Sequence, residues 1–279
     1  MGLNRNQGIT IGAFSLLFLF LYFLIPTTPR ERQAIDAQRA EKFSTFDPVG
    51  FLAESRQLLP PGLLARVESL ELKLDSAKAQ DEQIEITKQL SSTYNQMGNF
   101  AAGGIMAERV AEMMQTDTAW SIAGSTYFSG FQSAKDSLLR GYCFDKAVES
   151  FESAISINPD EPAHRVNLGL CYVEGSPAPM KGILMIRELL DKYPDDVTVL
   201  FTLGRLSMRT AQFDKAIERF ERVVEIEPDN LNATYMLAQA HRETGASQKA
   251  IEFFKKAIAL NPDPGFQAEV SAIITELEN

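Results

Sequence analysis

The sequence predicts an all-α protein, in which a superhelical solenoid of helix-turn-helix repeats follows an N-terminal transmembrane helix. Three observations lead to this prediction. A pattern of small, large and proline residues recurs about every 34 positions over the second half of the chain. An uncharged and mostly apolar run lies near the N-terminus. Between them, apolar residues follow one another at the spacing of an amphipathic helix.

The apolar run near the N-terminus predicts a membrane anchor. Residues 6–29 carry no charged side chain, and Ile9–Ile25 is mostly apolar. A helix of this length spans about 25 Å, which is at the short end for crossing a bilayer. A cleaved signal peptide is the alternative, but residues 26–30 contain no small-x-small cleavage motif. We therefore predict a short N-terminal tail over residues 1–8 and a transmembrane anchor over residues 9–25.

The charges that flank this run leave the orientation of the anchor open. Arg5 precedes the run, and the basic residues soon after it are Arg30, Arg32, Arg39 and Lys42. The positive-inside rule alone would keep the rest of the chain in the cytoplasm. A short tail before a first apolar run is also the layout of a signal-anchor, which exports the C-terminal part of the chain. We favour a single-pass anchor in a bacterial inner membrane with the soluble part in the periplasm.

The overall charge argues against one class of partner. The formal net charge is −10, with 27 basic and 37 acidic residues. Binding to nucleic acid depends on a basic surface, so we expect no nucleic-acid partner. The hydrophobic fraction of 45% is enough for an extended helical core.

Residues 26–83 are predicted to be a juxtamembrane linker and the start of a helical hairpin. The charged stretch Arg30–Lys42 predicts a helix, and residues 43–51 (FSTFDPVGF) predict a loop. After Pro60-Pro61-Gly62, residues 63–77 carry apolar side chains at helical spacing. Residues 82–97 are the expected partner of this helix.

The repeat is clearest around four prolines, which are spaced 35, 34 and 34 residues apart. The same pattern precedes each proline. It begins with a small residue, a large residue follows four positions later, and another apolar residue follows three positions after that. The small residues are Ala147, Gly182, Ala216 and Ala250; the large residues are Phe151, Ile186, Phe220 and Phe254; the prolines are Pro159, Pro194, Pro228 and Pro262. Small residues allow helices to approach closely, large ones fill the space between units, and the proline ends each hairpin.

This pattern resembles the tetratricopeptide repeat, a helix-turn-helix unit of 34 residues. The sequence Trp120-x2-Ala123-Gly124-x2-Tyr127 is similar to the first-helix signature of that family, with alanine in place of leucine. The resemblance implies an array that binds other proteins and seldom performs catalysis.

We predict an array over residues 84–264 with a capping helix over residues 265–279. The units are expected at 84–116, 117–161, 162–196, 197–230 and 231–264. The first is degenerate, because Gln115 stands where the closing proline is expected. In the second, Ala147 follows Tyr127 by eleven residues more than the repeat requires, which is close to three helical turns. We predict that the first helix of this unit is lengthened through Leu138; a looped insertion is the alternative.

The resemblance also implies which residues face a partner, because the first helix of each unit lines the inner groove of such an array. The predicted partner-binding residues are Phe201, Arg205, Arg209, Tyr235, Gln239 and Arg242. The arginines could bind carboxylates through paired hydrogen bonds, and the aromatic rings could anchor apolar side chains. The alternative is that the arginines only form surface ion pairs with neighbouring acids such as Glu243.

No catalytic residue, cofactor or metal site is predicted. The sequence lacks HExxH, GxSxG, P-loop and dinucleotide-binding motifs. We expect His241 to pack in the core and His164 to lie on the surface. Cys143 is expected in a turn and Cys171 on the packed face of a helix, both as ordinary thiols; a disulfide between them is the alternative.

These observations predict a membrane-tethered scaffold or adaptor that binds a peptide or helix of a partner protein in the groove. Three alternatives stay open: a chaperone-like assembly factor at a translocon or envelope complex, an accessory subunit of a membrane enzyme, and an import receptor on a eukaryotic organelle. Self-association through the lengthened helix or residues 63–77 also stays open.

Overall fold

The computed structural model describes residues 46–278, and all regular elements in that range are α-helices. The predicted tail (1–8), the predicted anchor (9–25) and the linker up to residue 45 lie outside the described residues. Within residues 46–278, none of the helices combines the length and the apolar character needed to cross a bilayer.

Thirteen helices follow one another in residues 46–278, and each packs on the next. Their bounds are α1 Pro48–Gln57, α2 Pro61–Ser76, α3 Gln80–Gln96, α4 Phe100–Met114, α5 Asp117–Ser133, α6 Ser137–Ile157, α7 Pro162–Gly175, α8 Pro179–Lys192, α9 Val197–Arg209, α10 Phe213–Ile226, α11 Leu231–Glu243, α12 Ser247–Leu260 and α13 Pro264–Glu278. From α3 onward the odd-numbered helices up to α11 are the first helices of the five units, and the even-numbered ones are the second helices.

Short polar side chains begin many of these helices. The side-chain oxygens of Asn99, Thr116, Asp136, Asp196 and Asn230 each accept a hydrogen bond from a backbone N–H three residues further on. Such caps satisfy donors that the first turn of a helix leaves unpaired. They set the boundaries of the units independently of the closing prolines.

A small residue on the first helix faces a large residue on the second helix in four units. The pairs are Gly124 with Phe151, Gly169 with Ile186, Gly204 with Phe220, and Ala238 with Phe254. The four large side chains are buried. A β-carbon on any of the three glycines would lie within 3 Å of the facing side chain, so the glycines permit the close approach of the helices.

The second unit is longer than the others, but not in the way the sequence predicted. Helix α5 has 17 residues against 13 in α9, and α6 has 21 against 14 in α10. The eleven extra residues are therefore divided, with four in the first helix and seven in the second. A first helix that runs through Leu138 is wrong, because Asp136 caps a new helix that begins at Ser137.

The added turns pack on the following unit. The rings of Phe131 and Phe144 lie 5.7 Å apart, and the guanidinium of Arg140 lies 4.6 Å from the centroid of Phe131. A β-carbon on Gly175, at the end of α7, would lie 2.3 Å from the Phe144 ring. The lengthened hairpin thus covers the end of α7.

The structure corrects the prediction of a loop before the array and agrees with the prediction of a capping helix after it. Residues 48–57 form α1, whereas a loop was expected through residue 51, because Pro48 was interpreted as a breaker and is instead the first residue of the helix. At the other end, α13 buries Val270 and Ile274 against Phe254 and covers the last unit, in agreement with a capping helix.

Both cysteines are buried and free. Cys171 lies inside α7 as expected, but Cys143 lies inside α6 and not in a turn, because α6 begins two turns earlier than the repeat predicts. Burial raises the pKa of the Cys143 thiol to about 12 and raises that of Cys171 as well. The two thiols are therefore inert packing residues.

Candidate partner-binding site

The two aromatic residues of the predicted groove pack partly in the core of their own units. Phe201 packs edge-on to Phe220 with ring centroids 5.6 Å apart, and Tyr235 packs in the same way on Phe254 at 5.7 Å. The hydroxyl of Tyr235 accepts a hydrogen bond of 2.9 Å from Nε2 of Gln239. All three side chains are only half-buried, so one side of each remains accessible.

The three arginines differ in their surroundings. Arg205 is exposed and forms no ion pair with any residue in the range 46–278. Nη1 of Arg209 lies 3.8 Å from Oε1 of Glu174, and Nη2 of Arg242 lies 3.4 Å from Oε1 of Glu243. Exposed pairs of this kind contribute little to stability and do not prevent a guanidinium from binding a ligand. The role of the six predicted residues in binding stays a prediction.

A concave site lies in the first two units. We call it the slot: a cavity of about 690 Å³ between α3 and α5, with α4 as its floor. Lys88, Ser92 and Asn95 of α3 form one wall, and Met114 and Ile122 contribute apolar surface opposite. Ile122 is 57% exposed, so it adds accessible apolar surface at the edge of the slot.

A second depression continues from the slot towards α7. We call it the hydroxyl groove: its volume is about 460 Å³, and Ser121, Ser125 and Ser129 of α5 form its wall. Asn95 and Ile122 border both depressions, so the slot and the hydroxyl groove are continuous. Together the two depressions run along the surface formed by the first helices α3, α5 and α7.

Sequence reasoning missed these residues although a signal was present. In α5, Ser121, Ser125 and Ser129 occupy the fifth, ninth and thirteenth places of the first helix; in α3, Lys88 and Ser92 occupy the fifth and ninth. These are the places from which the resemblance implied a groove. The register was applied only to the three later units because their proline pattern is clearer.

Asp117 connects three elements at the edge of the hydroxyl groove. Its Oδ2 accepts a hydrogen bond of 2.9 Å from Nδ2 of Asn158 and lies 3.2 Å from Nε2 of His164. Hydrogen bonds from Asn158 and His164 lower the pKa of Asp117 to about 2. His164 is buried, and its expected surface position is wrong, because the first turn of α7 directs its ring towards the start of α5.

A partly buried polar network lies behind the wall of the hydroxyl groove. The hydroxyl of Tyr127 donates a hydrogen bond of 2.5 Å to Oε2 of Glu108, and Nζ of Lys146 donates one of 2.8 Å to Oε1. Burial raises the pKa of Tyr127, and raises that of the neighbouring Tyr142 to about 12. The network ties α4, α5 and α6 together, so the groove rests on a rigid base.

The described residues offer little for catalysis or metal binding. In the range 46–278, no group of three or more histidine, cysteine, aspartate or glutamate side chains is arranged to hold a metal ion. His241 is buried and stacks on Phe253, as expected for a core residue. The linings of the slot and the hydroxyl groove combine apolar side chains with hydroxyl and amide groups.

The sequence was compared with protein-family models. Residues 201–263, which cover most of α9 and all of α10, α11 and α12, match the model of the tetratricopeptide repeat. The chain contains tetratricopeptide repeats. Repeats of this family generally serve as protein-interaction scaffolds without catalytic activity. A comparison of this repeat protein with curated protein sequences gave no significant match.

Solved structures of other proteins align with well over half of this chain. TTC0263, a thermophilic TPR protein from Thermus thermophilus, has a TM-score of 0.51 and 15% identity, and the alignment covers 68% of this repeat protein and 97% of TTC0263. PilW, a type IV pilus biogenesis factor, has a TM-score of 0.47 and 22% identity, covering 63% and 77%. YrrB, a TPR protein with an unusual peptide-binding site, has a TM-score of 0.43 and 18% identity, covering 70% and 98%. The similarity to TTC0263 concerns the fold alone.

Proposed function

We propose that this tetratricopeptide-repeat protein is a membrane-tethered scaffold that binds an extended segment or a helix of a partner protein along its first helices. The observation that carries the proposal is the continuous depression formed by the slot and the hydroxyl groove on α3, α5 and α7. Binding sites are usually concave and mostly apolar, with a few polar groups that orient the ligand. The slot and groove have this composition.

The chemistry of the groove suits a peptide backbone. Ser121 and Ser125 of α5 each provide a donor and acceptors, whereas the hydroxyl of Ser129 already donates to the backbone carbonyl of Ser125 and provides acceptors only. Ser125 and Ser129 are one helical turn apart, so they can follow an extended chain laid along the helix. Such groups recognise main-chain atoms and leave selectivity to the slot.

The surface formed by Phe201, Arg205, Arg209, Tyr235, Gln239 and Arg242 is the proposed continuation of the site on α9 and α11. The exposed guanidinium of Arg205 has no ionic partner within residues 46–278, so it is suited to a carboxylate of the partner. A partner long enough to pass from α3 to α11 would contact both surfaces.

Tethering is the second part of the proposal, and it rests on the uncharged run Ile9–Ile25. A bacterial inner membrane with the repeats in the periplasm is the location that we propose. An anchor confines the repeats and any membrane partner to the same surface, which raises their effective concentration, so individual contacts can be weak. Resistance of the full-length chain to alkaline extraction from membranes, lost when residues 9–25 are deleted, is the expected result.

Affinity capture from detergent-solubilised native membranes tests the binding function. The bait is the full-length chain, compared with Ser125→Glu in the hydroxyl groove and with the triple variant Arg205→Ala, Arg209→Ala, Arg242→Ala. Ser271→Glu on α13 is the matched control, because it places the same charge on an exposed serine away from the groove.

We expect one enriched protein that Ser125→Glu loses and Ser271→Glu retains. Loss in the triple variant as well would extend the site to α9 and α11. Equal capture by all four baits would contradict binding along the first helices. A broad set of captured clients would favour the assembly-factor alternative.

A further inference from the structure

The slot exists because the first unit lacks the large residue that fills the other four. Counting in the 34-residue register, Ala107 stands where Phe151, Ile186, Phe220 and Phe254 stand in later units. On the facing helix, Ser91 stands in the place of Gly124 and its counterparts. Both Ser91 and Ala107 line the slot. The space that these two small residues leave at the floor of the slot can hold one aromatic or large aliphatic side chain, and it is part of a cavity of about 690 Å³.

The arrangement of the helices keeps this space open. Helix α5 contacts α7 directly, α7 contacts α9, and α9 contacts α11, whereas α3 and α5 each pack on α4 without a comparable contact with each other. The floor of the slot is apolar, with Ala107, Val110 and Ala119 all buried. The mouth is bordered by Ile122, which is 57% exposed, and Met114, which is 38% exposed.

Two polar groups at the slot have no partner among the described residues. Lys88 is exposed and forms no ion pair within residues 46–278. Oδ1 of Asn95 is buried and accepts no hydrogen bond. The charge of Lys88 favours a negative charge beside the slot. Oδ1 of Asn95 lies against the backbone of Gly103 on α4, so it does not contribute to ligand binding.

We infer that the slot binds one aromatic side chain of the partner, with a carboxylate of the partner next to it in sequence placed against Lys88. The aromatic ring occupies the volume that the large second-helix residue occupies in the other units. This inference rests on the proposed function and adds the ligand chemistry: an extended peptide with an acidic residue beside a phenylalanine or a tyrosine. The exposed Ile122 and the flexible Met114 close over the ring.

The test uses a defined peptide and the full-length chain in lipid nanodiscs. The probe is the blocked tetrapeptide Gly-Asp-Phe-Gly, compared with versions in which Asp is replaced by Lys or Phe by Gly. Methyl NMR of isotope-labelled Ile122 and Met114 reports occupancy of the slot and tolerates millimolar dissociation constants. We expect saturable shifts of both methyl groups with the first peptide, about fivefold weaker binding of the Lys version, and no binding of the Gly version.

Four variants of the chain separate the slot from other surfaces. Ala107→Phe restores the large residue of the repeat, so we expect an unfolding temperature equal to or above that of the wild type and no binding of the peptide. Because this variant could overpack the slot, Ile122→Ser provides an independent check: its exposed side chain can change without loss of core packing, and the peptide should bind more weakly at Met114. Lys88→Glu should remove the preference for the acidic peptide, whereas Lys73→Glu on α2 should not.

Three results would overturn the inference: unchanged methyl signals at millimolar peptide, as expected if another segment of the chain already fills the slot; equal binding to a folded Ala107→Phe variant; and equal binding of the Phe and Gly versions. The capture experiment tests the proposed function separately from the inference about the slot. A partner that Ser125→Glu loses but a folded Ala107→Phe variant retains would leave the scaffold function standing and refute the slot. Absence of any specific partner would refute the scaffold function itself.

Discussion

The ring of Phe220 lies against the backbone of Gly204, so closely that a β-carbon on this glycine would be 2.6 Å from Cε1 of the ring. Glycine is therefore required at this place for packing, and its torsion angles are ordinary. The same relationship joins Gly124 to Phe151 and Gly169 to Ile186. It is the contact that holds the two helices of a unit at their close distance.

Substitution of Gly204 by alanine should lower the free energy of unfolding by about 1–3 kcal/mol, because the fully buried Phe220 has to move. Gly204→Trp should cost more, since no cavity exists for the indole. Gly141→Ala in α6 is the control: its β-carbon meets no atom within 4 Å, and removal of a mid-helix glycine should stabilise by up to about 1 kcal/mol. Urea unfolding measures all three. Equal effects at the two glycines would contradict the assigned packing.

Glu108 should contribute to the free energy of unfolding through its hydrogen bond with Tyr127. Glu108→Ala leaves the buried hydroxyl of Tyr127 with only the longer contact of 3.4 Å to Tyr142. We expect a loss of about 1–3 kcal/mol in the free energy of unfolding, the usual cost of a buried polar group without a good partner. Glu112→Ala, one turn further on α4 and exposed, should have little effect. Comparable losses in the two variants would argue against the network.

Asp117 should contribute stability that depends on pH. Because its pKa is lowered to about 2, below the unfolded value near 3.9, the contribution is complete above pH 4 and is lost as the pH falls towards 2. The melting temperatures of wild type and Asp117→Ala should differ most above pH 4 and converge below it. Asp214→Ala provides the comparison, as this exposed aspartate also lies in the first turn of a helix. A difference that grows on acidification would refute the assignment.

His241 should make the chain sensitive to mild acid. Burial and the nearby Lys249 lower the pKa of this imidazole below 6.5, while Glu221 and Glu252 oppose the shift. The unfolded state then binds the proton more readily, so stability is complete above about pH 6.5 and falls as the pH decreases. His241→Phe should keep the stack on Phe253 and lose this dependence. Thermal unfolding between pH 7.5 and 5 compares the two chains, and parallel curves would contradict the prediction.

Much of the fold could be predicted because its signals are local. Ala216, Phe220 and Pro228 recur with fixed spacing, since each unit repeats the same helix geometry and the same contacts within a hairpin. The burial of Phe220 and Phe254, the capping helix α13 and the core position of His241 all follow from that register. Three turns of extra helix could also be counted from the position of Ala147.

The spacing of the repeat did not show how these three turns are divided between the two helices of the unit. Periodicity continues across a break, so Phe128, Phe131 and Leu138 indicated one long helix. The cap at Asp136 and the packing of Phe144 on Gly175 divide the insertion between α5 and α6. His164 was misplaced for a related reason: its partner Asp117 is 47 residues away, and no local pattern indicates such a contact.

The sequence by itself determined the family, the register of the repeats and the residues that pack inside each unit, because helices and hairpins form from contacts close in the chain. Only the tertiary structure decided where the accessible site lies. Ala107 is unremarkable within α4, and Ser91 within α3. The slot appears only when the two helices are packed together with α5, because a cavity is the absence of a side chain in space that its neighbours enclose.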